Sequence, residues 1–290
     1  MRTVPGFLMK LASHVLIFTL LGASLGSCSN ADKTAGQPEG AGPVKTEANT
    51  AYRTPSYNGS VPRNPDMRLS ANFSPKAGIT FSRVSVDDKY VALTFDDGPH
   101  PQNTPRLLDI LRQRNIKATF YVVGRNVDLY PAIARRIVAE GHEIGNHTYT
   151  HPNLTKLSDA SVRNELDKTR ASIARATGVK PRTMRPPYGA LRQNQRAWIH
   201  SEYNYPTIMW AVDPKDWQRP GPSVVTSRIL SQTTPGAIVL AHDLHAPTVT
   251  AMPATCDGLL KKGYKFVTVS QLLAMKKDEA PAQAATTSAP

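Results

Sequence analysis

Short apolar runs alternate with amphipathic segments through the middle of this 290-residue chain. The runs are brief and rich in apolar residues, as buried strands are. Among them, residues 143–146 and 183–185 carry the weakest pattern. The predicted strands are Tyr90–Phe95, Ala118–Val123, Glu143–Asn146, Thr183–Arg185, Thr207–Val212, Ala237–Ala241 and Lys265–Val267.

Amphipathic segments fill the gaps between these runs and predict helices. The segment over Ser158–Thr177 has the clearest ends, because serine caps helix N-termini and Gly178 suits the position just beyond a helix. The predicted helices are Thr104–Arg114, Pro131–Glu140, Ser158–Thr177, Gln193–Glu202, Ser223–Gln232, Val249–Lys262 and Val269–Lys276.

Strands that alternate with helices indicate parallel βαβ units, which places the protein in the α/β class. Seven such units could close into an incomplete barrel or spread into an open, doubly wound sheet. The pattern of apolar positions alone does not separate these two architectures.

The first 28 residues have the features of an export signal. Arg2 and Lys10 supply positive charge, Leu11–Leu25 forms an apolar run, and small residues follow it. The run is short for a bilayer span, and no second apolar stretch of spanning length follows. A permanent N-terminal membrane helix is the alternative interpretation.

The sequence Leu25-Gly26-Ser27-Cys28 resembles the lipobox of bacterial lipoproteins, whose cysteine is lipidated and becomes the mature N-terminus. The alternative is ordinary signal cleavage beside an uninvolved Cys28. Lipidation would leave the other cysteine, Cys256, without a disulfide partner, so we expect it to be a packed core residue. We therefore expect an exported protein that is lipid-anchored to a membrane and faces the periplasm or the cell wall.

Composition divides the rest of the chain into three parts. Residues 29–83 are rich in glycine, proline, serine, asparagine, threonine and alanine, which predicts a flexible linker. Residues 84–277 contain the alternating pattern and form the predicted catalytic domain. Residues 278–290 predict a disordered tail.

The chain is basic, with a formal net charge of +13. Removing the predicted signal takes two basic residues and no acidic one, which leaves +11. The basic residues are scattered, and exported proteins rarely meet nucleic acid, so nucleic acid is not the expected partner. Anionic lipid headgroups or an anionic cell wall account better for the charge, and we expect the protein to be a monomer.

Polar motifs follow five of the predicted strands. The carboxyl ends of parallel strands meet at one edge of an α/β fold, where active-site residues collect. The sequence therefore predicts that these motifs share one site. They are Asp96-Asp97, His147 with His151, Arg185 through Gly189, Asp213 through Trp217, and His242.

Each motif taken alone has a second interpretation. Asp96 and Asp97 could cap an acidic turn instead of taking two different catalytic tasks. His147 and His151 have the spacing of two residues on one face of a helical turn, which could grip one ion, but both could also face solvent. A lone histidine after a buried run, such as His242, is usually structural.

Together the motifs TFDDGP, H-T-x-x-H, R-x-P-Y, D-x-x-D-W and L-x-H resemble those of the NodB-type polysaccharide deacetylases, carbohydrate esterase family 4. They occur in the order of that family and span the chain from Tyr90 to Leu273. The resemblance implies a distorted barrel of seven βα units. It also implies a metal-dependent hydrolase that removes acetyl groups from a polysaccharide.

Carried over position by position, the resemblance implies that Asp97, His147 and His151 ligate one divalent metal ion. Zinc is the ion it implies first, with cobalt, nickel and manganese as alternatives. Asp96 would be the general base, held in place by Arg185.

The resemblance further implies that His242 is the general acid and that Asp216 orients it. Tyr188 would offer its backbone N–H to the oxyanion. Trp217 and Leu240 would line the pocket for the acetyl methyl group.

The expected function is removal of N-acetyl groups from a polysaccharide that contains N-acetylglucosamine, with peptidoglycan as the first substrate. A lipid anchor followed by a long linker would let the domain reach polymer near the membrane. Two alternatives remain open, an O-acetyl esterase of the xylan type and a non-catalytic, glycan-binding lipoprotein on the same scaffold.

Overall fold

The computed structural model describes residues 79–276, which form a mixed α/β fold around parallel strands. Four strands lie side by side in the order β4-β3-β2-β6, and β7 pairs with the amino end of β2. The short strands β1 and β5 pair with each other. The bounds are β1 Thr80–Phe81, β2 Tyr90–Asp96, β3 Thr119–Val122, β4 Glu143–Asn146, β5 Thr207–Ile208, β6 Ala237–Val239 and β7 Lys265–Phe266.

Isolated parallel bridges close this sheet into a barrel. Met184 bridges Asn146 at the end of β4 and also Thr207 at the start of β5. Further along the same segment, Val212 bridges Val239 of β6. The path of strands therefore returns to β6, which confirms the distorted barrel and excludes the open sheet.

Helices connect the strands along the outside. The predicted helices occur with their ends shifted by a few residues, whereas α2 and β1 escaped sequence prediction. The predicted strand over Thr183–Arg185 is reduced to the bridge at Met184. The bounds are α1 Asn103–Gln113, α2 Gly124–Leu129, α3 Pro131–Ala139, α4 Asp159–Thr177, α5 Gln193–Tyr203, α6 Pro222–Gln232, α7 Ala246–Lys261 and α8 Val269–Ala274.

The two faces of β2 serve different purposes. Val91, Leu93 and Phe95 belong to the apolar layer packed under the outer helices. Successive side chains of a strand point to opposite faces, so Thr94 and Asp96 face the barrel interior. This alternation brings a carboxylate to the upper interior of the barrel, at the carboxyl edge of the strands.

The predicted signal with Cys28, nearly all of the predicted linker and the predicted tail lie outside the described residues. Within residues 79–276, no helix combines the length and apolar character needed to cross a membrane.

Candidate metal centre and catalytic site

Asp97, His147 and His151 converge at the carboxyl edge of the barrel. Asp97 Oδ1 lies 3.3 Å from His147 Nε2 and 3.2 Å from His151 Nε2. The three candidate ligand atoms all lie within 4.8 Å of one another. Two imidazole nitrogens and one carboxylate oxygen are a donor set that catalytic sites use for a divalent metal ion.

Two observations support a cation at this position. Asp97 Oδ1 is buried and has no hydrogen-bond partner among the described residues. His147 Nδ1 contacts the backbone carbonyl oxygen of Arg185 at 2.7 Å, and because a carbonyl only accepts, this ring nitrogen carries the hydrogen. In the neutral ring, Nε2 then presents a lone pair to the Asp97 carboxylate, an arrangement that an intervening cation would stabilise.

The Asp97 carboxylate also has electrostatic support. Burial acts to raise the pKa of Asp97, but the adjacent His147 and His151 rings outweigh burial and lower this pKa overall. The ionised form, which binds metal, is therefore favoured.

The histidines do not lie on a helical turn, so that prediction was wrong. Thr148 and His151 have left-handed φ angles of 67° and 60°. The backbone N–H groups of Tyr149 and Thr150 donate to the Glu165 carboxylate of α4 at 2.8 and 2.7 Å, instead of serving a helix. The loop nevertheless brings the two imidazole rings together, with centroids 5.0 Å apart for His147 and His151.

Asp96, the neighbour of Asp97, has a separate environment. Its Oδ1 accepts a 2.7 Å hydrogen bond from Arg185, whose side chain is fully buried. The same guanidinium donates to Thr94 Oγ1 and to two backbone carbonyl groups, and it stacks on the Tyr121 ring at 4.4 Å. Asp96 Oδ2 lies 3.8 Å from His147 Nε2, which places this oxygen beside the candidate metal position.

Asp216 and His242 form a second pair at the same edge. His242 Nδ1 lies 2.8 Å from Asp216 Oδ1, while Asp216 Oδ2 accepts the backbone N–H of His242 and the hydroxyl of Thr248, both at 2.8 Å. Burial acts to lower the pKa of His242, but Asp216 overcomes this and raises it to about 9. His242 therefore holds a proton at neutral pH.

The remaining predicted residues differ in exposure. Tyr188 is 69% exposed, and the edge of its ring packs on His151 with centroids 4.7 Å apart. Trp217 is 53% exposed, whereas Leu240 is buried at the end of β6. Both aromatic side chains are accessible to a large substrate.

Asn126 was missed by sequence reasoning. Its Nδ2 donates a 2.8 Å hydrogen bond to the backbone carbonyl of Asp97, which has a left-handed φ of 75°. Asn126 lies in α2, three residues beyond the predicted strand that ends at Val123. This position, just after the carboxyl end of a predicted strand, was the sequence feature that could have identified Asn126 as a site residue.

Comparisons with known proteins place the chain among carbohydrate-active enzymes. Residues 83–208 match the family described as polysaccharide deacetylase. A peptidoglycan-N-acetylglucosamine deacetylase of Bacillus cereus is 40% identical over 230 residues, which cover 75% of this chain and 83% of that protein. The crystal structure of the Bc1960 peptidoglycan N-acetylglucosamine deacetylase has a TM-score of 0.65 and 38% identity, covering 67% of this chain and 92% of that one.

A longer relative is matched over part of its length. The peptidoglycan-N-acetylglucosamine deacetylase PgdA of Listeria monocytogenes is 42% identical over 189 residues, or 65% of this chain. The match covers 40% of that relative.

Proposed function

Because the chain belongs to the polysaccharide deacetylase family, we propose that it hydrolyses N-acetyl groups of a polysaccharide that contains N-acetylglucosamine. The observation that carries this proposal is the position of Asp96 Oδ2, 3.8 Å from His147 Nε2 and thus beside the triad of Asp97, His147 and His151. A candidate base therefore lies next to a candidate metal position, and His242 supplies a candidate acid at the same edge.

Asp97, His147 and His151 would hold one divalent ion, and we propose zinc. Two histidines and one carboxylate suit zinc and leave coordination positions open. Cobalt, nickel and manganese are the alternatives, because affinity order and metal supply both decide which ion a site holds. When bound, such an ion polarises a carbonyl oxygen and lowers the pKa of coordinated water to about 7.

The protein side chains would move the protons of the reaction. Asp96 takes a proton from the water that attacks the acetyl carbonyl, with Arg185 fixing the other carboxylate oxygen. The Tyr188 backbone N–H donates to the developing oxyanion. His242, oriented by Asp216, gives its proton to the nitrogen as the C–N bond breaks, so the products are acetate and a free amine.

Two further residues would contact the acetyl group. Trp217 offers an exposed aromatic surface, and the buried side chain of Leu240 precedes His242 by two positions. These side chains would line the pocket for the methyl group.

Peptidoglycan is the proposed polymer. The Bacillus cereus and Listeria monocytogenes relatives carry names that specify peptidoglycan N-acetylglucosamine. The net charge of +11 that remains after signal removal would favour an anionic wall.

The test is a deacetylation assay on peptidoglycan fragments, chitin oligomers and acetylxylan, with and without a chelator. We expect peptidoglycan fragments to lose the mass of one acetyl group per modified sugar, and we expect the chelator to stop this loss. Activity on acetylxylan alone would replace the proposal with an O-acetyl esterase. Inactivity of the metal-loaded protein on all three polymers would favour a glycan-binding role.

We also propose that the protein is exported and anchored through a lipid on Cys28. The support is the lipobox-like sequence at the end of the apolar N-terminal run. Metabolic labelling with a fatty-acid analogue should mark the wild type and a Cys256→Ala variant, but not Cys28→Ala. Equal labelling of Cys28→Ala would contradict the anchor.

A further inference from the structure

Asp243 is a buried acid to which the proposed reaction gives no task. It follows His242 directly and has no solvent exposure. Thr104, at the start of α1, donates its hydroxyl to Asp243 Oδ2. The other carboxyl oxygen, Oδ1, has no hydrogen-bond partner among the described residues.

The Asp243 carboxyl group lies directly against the turn that carries Asp97. A Cβ atom added to Gly98 would lie 2.4 Å from Asp243 Oδ2 and 2.5 Å from Oδ1, so only glycine leaves room for this contact. Asp97, which directly precedes Gly98, is the candidate metal ligand. The contact therefore joins the loop after β6 to the loop after β2.

Thr104 extends this junction to α1. Its Oγ1 accepts the backbone N–H of His100 at 2.7 Å while its hydroxyl donates to Asp243. Beside it, Asn103 Nδ2 donates to the backbone carbonyl of Leu244 at 2.9 Å. Two adjacent residues of α1 thus hold two adjacent residues of the loop that carries His242.

We propose that Asp243 is a positioning residue, which presses on Gly98 and binds Thr104 to fix the metal ligand Asp97 relative to the acid His242. This inference rests on the proposed function for the roles of Asp97 and His242. Asp243 is fully buried and is not among the candidate metal ligands. It acts through the two loops that it joins, as outer residues of metal sites do.

Burial shifts the Asp243 carboxyl group towards its neutral form. Burial raises the pKa of Asp243 to about 7, and the charges of Asp97 and Asp96 act in the same direction, whereas the hydrogen bond from Thr104 and the charge of His242 act to lower it. A neutral acid can remain buried with one oxygen unpaired at lower cost than a carboxylate. It also adds no further negative charge beside Asp96 and Asp97.

The experiment compares Asp243→Asn with Asp243→Ala. Asparagine preserves the shape and the acceptor for Thr104, so zinc affinity and kcat should remain within about threefold of wild type. Alanine removes the contact, and both quantities should fall by about 10-fold or more, with KM nearly unchanged, since loss of outer residues costs about 10- to 100-fold. Zinc affinity is measured by competition with a chromophoric chelator, and kcat on peptidoglycan fragments.

Thr104 supplies a second pair of variants in case Asp243→Ala does not fold. Thr104→Val should lower both zinc affinity and kcat, whereas Thr104→Ser, which keeps the hydroxyl, should leave both near the wild-type values. The matched control is Thr255→Val, which removes a fully buried hydroxyl. This hydroxyl hydrogen-bonds to the Ala251 carbonyl within α7 and to the Thr226 hydroxyl of α6. The control should leave zinc affinity and kcat unchanged.

The proposal would be overturned by a folded Asp243→Ala protein within twofold of wild type in zinc affinity and kcat, by an Asn variant as impaired as Ala, or by a rise in KM alone. Thr104→Val with unchanged zinc affinity would do so as well. Zinc affinity is measured without turnover, so it tests Asp243 even if no polymer proves to be a substrate.

Discussion

Arg185 and Asp96 form an ion pair inside the barrel, with a distance of 2.7 Å between the guanidinium and the carboxylate. Breaking a buried pair by removing one partner leaves an uncompensated charge, which costs about 3–5 kcal/mol. Arg185→Met should therefore lower the free energy of unfolding by about this amount, measured by urea denaturation.

The control for Arg185 is an exposed arginine that also contacts an aspartate. Arg112 pairs with Asp109 on the surface of α1, where 64% of the arginine side chain is exposed. Arg112→Met should cost less than about 1 kcal/mol. If Arg185→Met and Arg112→Met lowered the free energy of unfolding equally, the buried Arg185 pair would contribute no more to stability than an exposed pair.

Removal of a triad histidine should abolish tight metal binding. Loss of an outer residue already costs about 10- to 100-fold in affinity, so His151→Ala should weaken zinc binding by more than about 100-fold. Isothermal titration calorimetry on metal-free protein measures this directly. His200→Ala, which changes a histidine of α5, is the control, and equal zinc affinity for the two variants would refute the triad.

The activity should decline on the alkaline side as His242 loses its proton. Burial lowers the pKa of His242, but Asp216 raises it to about 9, so the acid form prevails below that pH and disappears above it. Asp216→Asn removes the charge that raises this pKa. The alkaline limb of kcat against pH should therefore move to lower pH, and an unmoved limb would contradict the role of His242 as acid.

His142 should make the fold sensitive to acid, independently of the site. Its ring is buried, Nδ1 accepts the N–H of Ala118 at 3.1 Å, and burial lowers its pKa to about 3. An unfolded histidine takes up a proton near pH 6.5, so this group stabilises the fold above 6.5 and the contribution disappears as pH falls towards 3.

Between pH 6.5 and pH 3, the His142 titration should lower the free energy of unfolding by about 1.4 kcal/mol for each unit by which the pH falls. His142→Gln keeps an acceptor for Ala118 and removes the titration. Urea denaturation at several pH values should give a flatter profile for this variant than for wild type. Parallel profiles would show that His142 does not set the acid limit.

The pattern of apolar positions predicted the alternating strands and helices, and the family resemblance supplied the barrel, because the pattern alone fits an open sheet equally well. The strand at Glu143–Asn146 was predicted with the bounds it has in the structure, and α4 begins directly after its predicted cap, Ser158. The strand predicted over Thr183–Arg185 was overestimated, because only Met184 forms β-bridges, one to Asn146 and one to Thr207. Such a single bridging residue leaves almost no pattern in sequence.

Sequence reasoning also placed the five polar motifs at one edge, but it could not supply the contacts between them. The helical turn at His147 was wrong because Glu165, distant along the chain, binds the loop amides. Asp243 contacts Thr104 and Gly98, and Asn126 contacts the backbone carbonyl of Asp97, in each case across a long separation in sequence. Spacing along the chain does not record these contacts.

Asp97, His151 and Tyr188 share left-handed φ angles of 75°, 60° and 59°. Such conformations are unfavourable for residues with a side chain, by about 1–2 kcal/mol each. The loops that carry Asp97, His151 and Tyr188 would therefore relax more readily than the barrel strands when no metal ion holds the triad together. Metal loading would then slow amide hydrogen exchange in these three loops while exchange in β2 and β3 stayed constant, which couples ion occupancy to local order.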